Sequence, residues 1–123
     1  MLTFPAGTRL YLASEPADLR KSFNGLSMLV EHGFGRDAMR GDLFIFLNRR
    51  CNQVRILFWD RDGFCIVAKK LEQGIFCRVA DASGGSHAEI DAAQLALLLE
   101  GVEAKEVKRS KRYRAPSRET RVA

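Results

Sequence analysis

The sequence predicts an α+β fold in which an antiparallel β-meander of four to five strands carries two helices, with a basic tail at the C-terminus. Short apolar runs separated by turn residues between positions 43 and 79 predict the meander, and two flanking segments with apolar residues at helical spacing predict the helices. The 123 residues are enough for a single compact domain, which we assign to residues 1–104. Residues 105–123 form the tail, which we expect to be disordered.

The composition excludes several classes of protein. With 46% hydrophobic and 28% charged residues, the chain is typical of a soluble globular domain rather than of a disordered or collagen-like chain. No apolar run reaches the roughly 18 residues that a membrane span requires, and the first residues lack the pattern of a signal peptide. We therefore expect a cytoplasmic protein that does not associate with membranes.

The N-terminal third predicts one strand and one helix. A short β-prone run covers residues 8–12. The sequence Ser14-Glu15-Pro16 is typical of a helix start, because serine accepts from a free N–H group and proline is tolerated in the first turn. Apolar residues spaced by three or four positions follow, and Gly33 and Gly35 end the pattern. These features predict a helix over about residues 16–32.

The central part predicts the meander. We place its strands at residues 43–47, 54–59, 64–71 and 75–79 and its turns between them, the second of which contains the Asp62-Gly63 pair that tight hairpins favour. Residues 81–88 are predicted to be a loop. A second helix is predicted over residues 92–100, because Asp91 and Gln94 suit a capping box and Gly101 suits a helix C-terminus.

Side-chain alternation along the meander predicts two different sheet faces, provided that both hairpin loops contain an even number of residues. One face is aliphatic and belongs to the core. The other combines aromatic residues with basic ones; it carries Phe44, Phe46, Arg55, Leu57, Trp59, Phe64, Ile66, Ala68 and Lys70. The two helices could cover both faces. If the second face is open, it is a platform for nucleic acid or for a partner protein, and an RNA-binding regulator that uses this face is an alternative function.

The charge is distributed unevenly. The tail holds eight basic and two acidic residues, whereas residues 1–104 hold twelve basic and thirteen acidic ones. The tail therefore carries the entire positive excess, and a basic segment of this kind suits contact with a polyanion.

The predicted domain has a basic surface of its own. Hairpin geometry places Arg49-Arg50 and Lys70 at one end of the sheet, near Arg55, and Arg20-Lys21 forms a further pair. The residues that we expect to contact nucleic acid or a partner protein are Arg20, Lys21, Arg49, Arg50, Arg55, Lys70, Lys108, Arg109, Lys111, Arg112 and Arg114. The alternative is intramolecular: Arg20 or Arg55 pairs with a nearby aspartate and holds the fold.

The residues do not predict a catalytic centre. Asp60 and Asp62 could share a divalent metal, but a nuclease or transposase site requires a third acid, and aspartate is also common in turns. His32 and His87 lack ligand-like neighbours. We therefore expect no catalytic residue, no metal and no cofactor. A metal-dependent nuclease remains the alternative.

Six segments together resemble one protein family. They lie at residues 9–13, 18–26, 41–50, 56–65, 69–76 and 93–101. Over about residues 5–104 the chain resembles the TnpB-type accessory proteins encoded by the second open reading frame of the IS66 family of bacterial insertion sequences. The resemblance implies a non-enzymatic accessory of transposition. Its implied partners are the separate DDE transposase of the same element and the DNA at the element's ends, and the oligomeric state stays open.

The chain differs from the usual pattern of that family at a few positions. Ser22 and Asn24 stand where glycine and aspartate are common. In the turns, Cys51-Asn52 replaces a Gly-Asp-like pair, and Arg61 replaces a glycine.

Overall fold

The computed structural model of the protein describes residues 4–80 and 84–102. In these residues a five-stranded mixed sheet lies between two helical layers. The elements in chain order are strand β1 (Leu10–Ala13), helix α1 (Phe23–Met28), a π-helical segment (Leu29–Phe34), strands β2 (Leu43–Leu47), β3 (Gln53–Asp60), β4 (Gly63–Lys70) and β5 (His87–Ile90), and helix α2 (Ala92–Glu100).

The sheet is not a pure antiparallel meander. Its strand order is β4-β3-β2-β1-β5, and β1 pairs with β2 in parallel, with Leu10 opposite Leu43. The other three pairings are antiparallel. The parallel pair arises because α1 and the π-helical segment connect β1 to β2, and a helical crossover returns the chain in the same direction. The α+β class is correct, but the predicted topology is only partly so.

The strand predicted over residues 75–79 is wrong. In that stretch Ile75 forms one isolated bridge with Val102, and the buried Phe76 packs against the aliphatic face of the sheet. The edge position beside β1 is occupied by β5, which lies partly in the predicted loop. An apolar run shows that a segment is buried but not that it finds a strand to pair with.

The first helix begins later than its sequence predicts. It starts at Phe23. The preceding residues form a loop in which the N–H groups of Ser14 and Ala17 bond to the carbonyls of Ser86 and Leu47. After Met28 the helix widens into the π-helical segment, which ends at Gly35 with a positive φ of 69°. Residues 14–17 are thus bonded to β2 and to Ser86 and do not form the first turn of the helix.

The second helix is predicted correctly. Asp91 accepts from the N–H of Gln94 at 2.8 Å, and the Gln94 side chain accepts from the N–H of Asp91 at 2.9 Å, so the capping box is complete. Gly101 follows the last turn with a φ of 73°. Leu98 is fully buried against the sheet. No helix among the described residues is long and apolar enough to cross a membrane.

Both faces of the sheet are covered. The strand register gives the two faces that the alternation predicts, because Ile45, Ile56 and Val67 lie side by side. Helix α2 packs on this aliphatic face, and α1 with the π-helical segment packs on the other. Phe44 and Phe46 are consequently buried. An open aromatic platform on these residues for RNA is therefore excluded.

Candidate nucleic-acid interface

The turn between β2 and β3 is held by its own side chains. The Asn48 amide oxygen accepts from the N–H groups of Asn52 and Gln53, both at 3.0 Å, and its amide nitrogen donates to Asn52 Oδ1 at 2.7 Å. Cys51 has a left-handed φ of 59° and closes the turn by donating its N–H to the Asn48 carbonyl. Because the backbone is fixed by these bonds, the turn presents its remaining residues in a defined geometry.

Arg49 and Arg50 are those remaining residues. Both are exposed, and neither makes an ion pair or side-chain hydrogen bond with another described residue. Lys70 lies beside them, since it pairs with Gln53 in the register and the next residue, Leu71, donates to the Asn52 carbonyl at 2.9 Å. The hairpin geometry predicted from the sequence therefore does bring these three cations to one end of the sheet.

The loop that precedes α1 lies at the same end. The N–H of Ala17 donates to the Leu47 carbonyl at 2.9 Å, at the last residue of β2. This loop carries Lys21, which is exposed, and Arg20. We define the basic surface as Lys21, Arg49, Arg50 and Lys70.

Arg20 is exposed but already has a partner. Its guanidinium forms a two-pronged ion pair with Asp18, with Nε–Oδ1 at 3.0 Å and Nη2–Oδ2 at 2.9 Å. Hydrogen bonding to Arg20 lowers the pKa of the Asp18 carboxyl to about 2. Arg20 therefore pairs with an aspartate within the fold, as the intramolecular alternative predicts.

Arg55 is used inside the fold. It is half-buried on the face covered by α1, and its Nη1 donates to the Leu19 carbonyl at 2.7 Å. This bond ties the loop before α1 to the centre of the sheet. The intramolecular alternative thus holds for Arg55 too, although its acceptor is a backbone carbonyl rather than the expected aspartate.

The other predicted contact residues lie outside the described part of the chain. They are Lys108, Arg109, Lys111, Arg112 and Arg114. The last described residue, Val102, exchanges two hydrogen bonds of 2.8 Å with Ile75, and the neighbouring Phe76 donates to the Cys51 carbonyl at 2.7 Å. The described domain therefore ends beside the turn that carries Arg49 and Arg50.

The opposite end of the sheet carries charges of both signs. The turn between β3 and β4 consists of Arg61 and Asp62, flanked by Asp60, while Gly63 is the first residue of β4. The positive φ of 56° belongs to Arg61 and not to the glycine of the predicted Asp-Gly turn. Asp60 also borders an open groove of about 590 Å³, whose other walls include Trp59 and Arg40.

The acids do not assemble into a metal centre within the described residues. No group of three His, Cys, Asp or Glu side chains there could hold a metal ion. Three other aspartates already accept hydrogen bonds within the fold: Asp18 binds Arg20, Asp37 accepts from the Met39 N–H, and Asp42 accepts from the Arg9 N–H. The nuclease alternative therefore gains no support from the geometry.

Sequence reasoning missed a cluster around His87. Arg36 Nε donates to His87 Nε2 at 2.8 Å, and its guanidinium lies 4.0 Å from the centre of the Tyr11 ring. The His87 ring stacks on Phe34 with centroids 4.5 Å apart. Burial and, secondarily, the Arg36 charge lower the pKa of His87. The cluster joins three distant parts of the chain, at Tyr11, at Phe34 and Arg36, and at His87, so no local motif could have shown it. It connects the π-helical segment to β1 and β5.

Comparison with known proteins gives a consistent assignment. A family model described as IS66 Orf2-like protein matches residues 8–109. Two uncharacterized proteins of Sinorhizobium fredii are similar: y4jC is 34% identical over 103 residues, which is 84% of this chain and 86% of y4jC, and y4hO is 31% identical over 103 residues, which is 84% of this chain and 88% of y4hO. No solved structure matches. The resemblance seen in the sequence is confirmed, and the chain belongs to the IS66 Orf2-like family.

Proposed function

We propose that this chain is a non-enzymatic, cytoplasmic accessory protein of transposition, which contacts the phosphates of its element's DNA through the basic surface. Membership of the IS66 Orf2-like family supports the transposition-associated role. The observation that carries the DNA contact is the position of Arg49 and Arg50, exposed on a turn of fixed geometry with no partner among the described residues.

The chemistry of these side chains favours phosphate. A guanidinium presents its donors in a planar fork that matches two oxygens of one phosphate or carboxylate. Because Arg49 and Arg50 make no bond within the described fold, they give up no intramolecular contact when they bind. Lys21 and Lys70 add charge at the same end, and neutralising phosphates in this way releases counterions.

The proposal is tested with the double variant Arg49→Ala/Arg50→Ala of the full chain. Its affinity for duplex DNA from the element's ends should fall. The slope of log affinity against log salt concentration should decrease by roughly two, since each neutralised phosphate releases about 0.9 counterions. Its melting temperature should stay close to that of the wild type, because both side chains are exposed.

A matched control removes the same charge from the other end of the sheet. Arg40 and Arg61 are both exposed there, so Arg40→Ala/Arg61→Ala should bind DNA nearly as the wild type does. Equal losses of affinity in both double variants, or an unchanged salt slope in the first, would contradict the proposal.

Further readouts separate the remaining hypotheses. If the first variant loses capture of purified transposase but keeps its DNA affinity, the basic surface binds an acidic protein surface instead. Terminal DNA incubated with the wild type and Mg²⁺ or Mn²⁺ should stay intact. Cleavage that disappears in Asp60→Ala or Asp62→Ala would show a nuclease.

A further inference from the structure

Within the described part of the chain, strand β4 forms an edge of the sheet that lacks the usual protection. It has eight residues and pairs only with β3 among the described strands. Natural edges are blunted by shortness, proline, bulges or charges placed in mid-strand. The other edge strand, β5, has four residues with Glu89 among them. In β4, by contrast, residues 64–68 are uncharged and free of proline, and the register with β3 is continuous without a bulge.

The hairpin determines which backbone groups of β4 face outward. Asp60 and Gly63 flank a two-residue turn, and such flanking residues form a hydrogen-bonded pair. Hydrogen-bonded and non-hydrogen-bonded pairs then alternate along an antiparallel ladder. The N–H and C=O groups of Phe64, Ile66 and Ala68 consequently point away from β3, and none of them has a backbone hydrogen bond to another described residue.

The two ends of β4 carry opposite charges, so two antiparallel copies of this edge are complementary in charge. Asp62 precedes the first residue of β4, and Lys69 and Lys70 end the strand. Asp62 and Lys70 are exposed, and neither side chain has a partner among the described residues. An antiparallel copy of the strand would place its lysine end beside the aspartate end of the first, whereas a parallel copy would oppose like charges.

We propose that β4 pairs antiparallel with β4 of a second copy of this chain, so that two five-stranded sheets join across a twofold axis at Ile66. In this register Ile66 faces Ile66, Phe64 faces Ala68, and Asp62 lies beside Lys70 of the other copy. All the outward-facing groups of residues 64–68 are then paired. A twofold axis perpendicular to the sheet also keeps the α1-covered faces of both copies on one side.

This inference does not rest on the proposed DNA contact, because it is tested without nucleic acid. Sedimentation equilibrium of the full chain should show a monomer–dimer equilibrium. A strand-to-strand contact is small, so the dissociation constant is expected to be on the order of 10 µM. In hydrogen exchange, the amides of Phe64, Ile66 and Ala68 should be the ones that slow as the protein concentration rises.

Exchanging the charges of the exposed residues Asp62 and Lys70 tests the register of the proposed β4–β4 pairing. Asp62→Lys and Lys70→Asp should each weaken the dimer about tenfold or more, and the double variant Asp62→Lys/Lys70→Asp should restore it. Ala68→Pro removes one outward N–H group from a position that does not bond to β3 and should abolish the dimer, whereas Ala68→Thr should keep it. A chain that is monomeric at all concentrations overturns the proposal. So does a dimer that is indifferent to the charge variants, whether or not Ala68→Pro folds.

Discussion

The two turns at the ends of β3 differ in charge and in how they are built. The turn before β3 presents Arg49 and Arg50 on a backbone fixed by the Asn48 and Asn52 side chains. The turn after β3 contains Arg61 between two aspartates and borders an open groove. Both are exposed ends of the same strand, whose middle is buried. The turn before β3 is therefore basic and residues 60–62 are net acidic, while the interior of the strand carries one charged residue, Arg55.

This difference shows that position on a turn does not by itself identify a binding residue. At the basic end, Arg20 and Arg55 already bond within the fold, while Arg49, Arg50 and Lys70 do not. The cations that remain available to a ligand are those whose side chains form no bond to another described residue. Substitutions at the two ends of the strand can test this distinction between cations used by the fold and cations left available.

The largest effect on stability is expected at Arg55. Arg55→Met keeps most of the side-chain volume but leaves the carbonyl of the buried Leu19 without its donor, which costs about 2 kcal/mol. The melting temperature should fall by on the order of 10 °C. Arg49→Met is the matched control and should change stability by less than about 0.5 kcal/mol. Similar melting temperatures for the two variants would show that Arg55 stabilises the fold no more than Arg49 does.

A smaller effect is expected from the two turn residues with left-handed backbone. Cys51 and Arg61 have φ values of 59° and 56°, and this conformation costs an L-residue about 1–2 kcal/mol, which glycine avoids. Arg61→Gly should therefore stabilise the domain by about 0.5–1 kcal/mol after the entropy of glycine is included.

Cys51→Gly should gain less than Arg61→Gly, because Cys51 also packs against the core while Arg61 is exposed. Chemical unfolding of the two single variants measures the change in the free energy of unfolding at the turn before β3 and at the turn after it. Gly63→Ala is a suitable control, since Gly63 has no positive φ and an added Cβ meets no atom within 4 Å. Destabilisation by Arg61→Gly would contradict the expectation.

The smallest effect is expected from His87, which lies at the basic end opposite Ala13. Its folded pKa is below the ordinary value of 6.5 because burial and Arg36 disfavour the imidazolium. The folded state therefore binds fewer protons than the unfolded state, and the stability due to neutral His87 is complete above pH 6.5 and lost as pH falls through the folded pKa. Other groups near the ring are Ser86, Tyr11 and, on the same face of β5, Glu89.

Melting temperatures measured between about pH 7.5 and about pH 5.5 test this dependence. His87→Gln should lower stability at the upper pH, because it removes the stacking on Phe34, and should show a shallower decline towards acid. The exposed His32 supplies the control His32→Gln. An equally steep decline in His87→Gln would show that other groups cause it.

The sequence predicted those parts of the fold that depend on neighbouring residues. Alternation with a period of two places Ile45, Ile56 and Val67 on one face, and the register agrees. The capping box at Asp91 and Gln94 sets the start of α2. The segments resembling the family were also readable, because they are contiguous and keep their order. Each of these signals lies within a few residues or within one hairpin.

The tertiary structure decided what depends on distant partners. Residues 75–79 form one isolated bridge, whereas residues 87–90 pair with β1 at the edge of the sheet. Ser14 and Ala17 bond to Ser86 and Leu47, and α1 starts only at Phe23. The same holds for the candidate site. Arg49 and Arg55 are both arginines near one turn in sequence, but only the fold brings the Leu19 carbonyl to Arg55 and leaves Arg49 without an acceptor among the described residues. Charge is a property of the residue, whereas its availability to a ligand depends on what the folded chain places within about 3 Å of it.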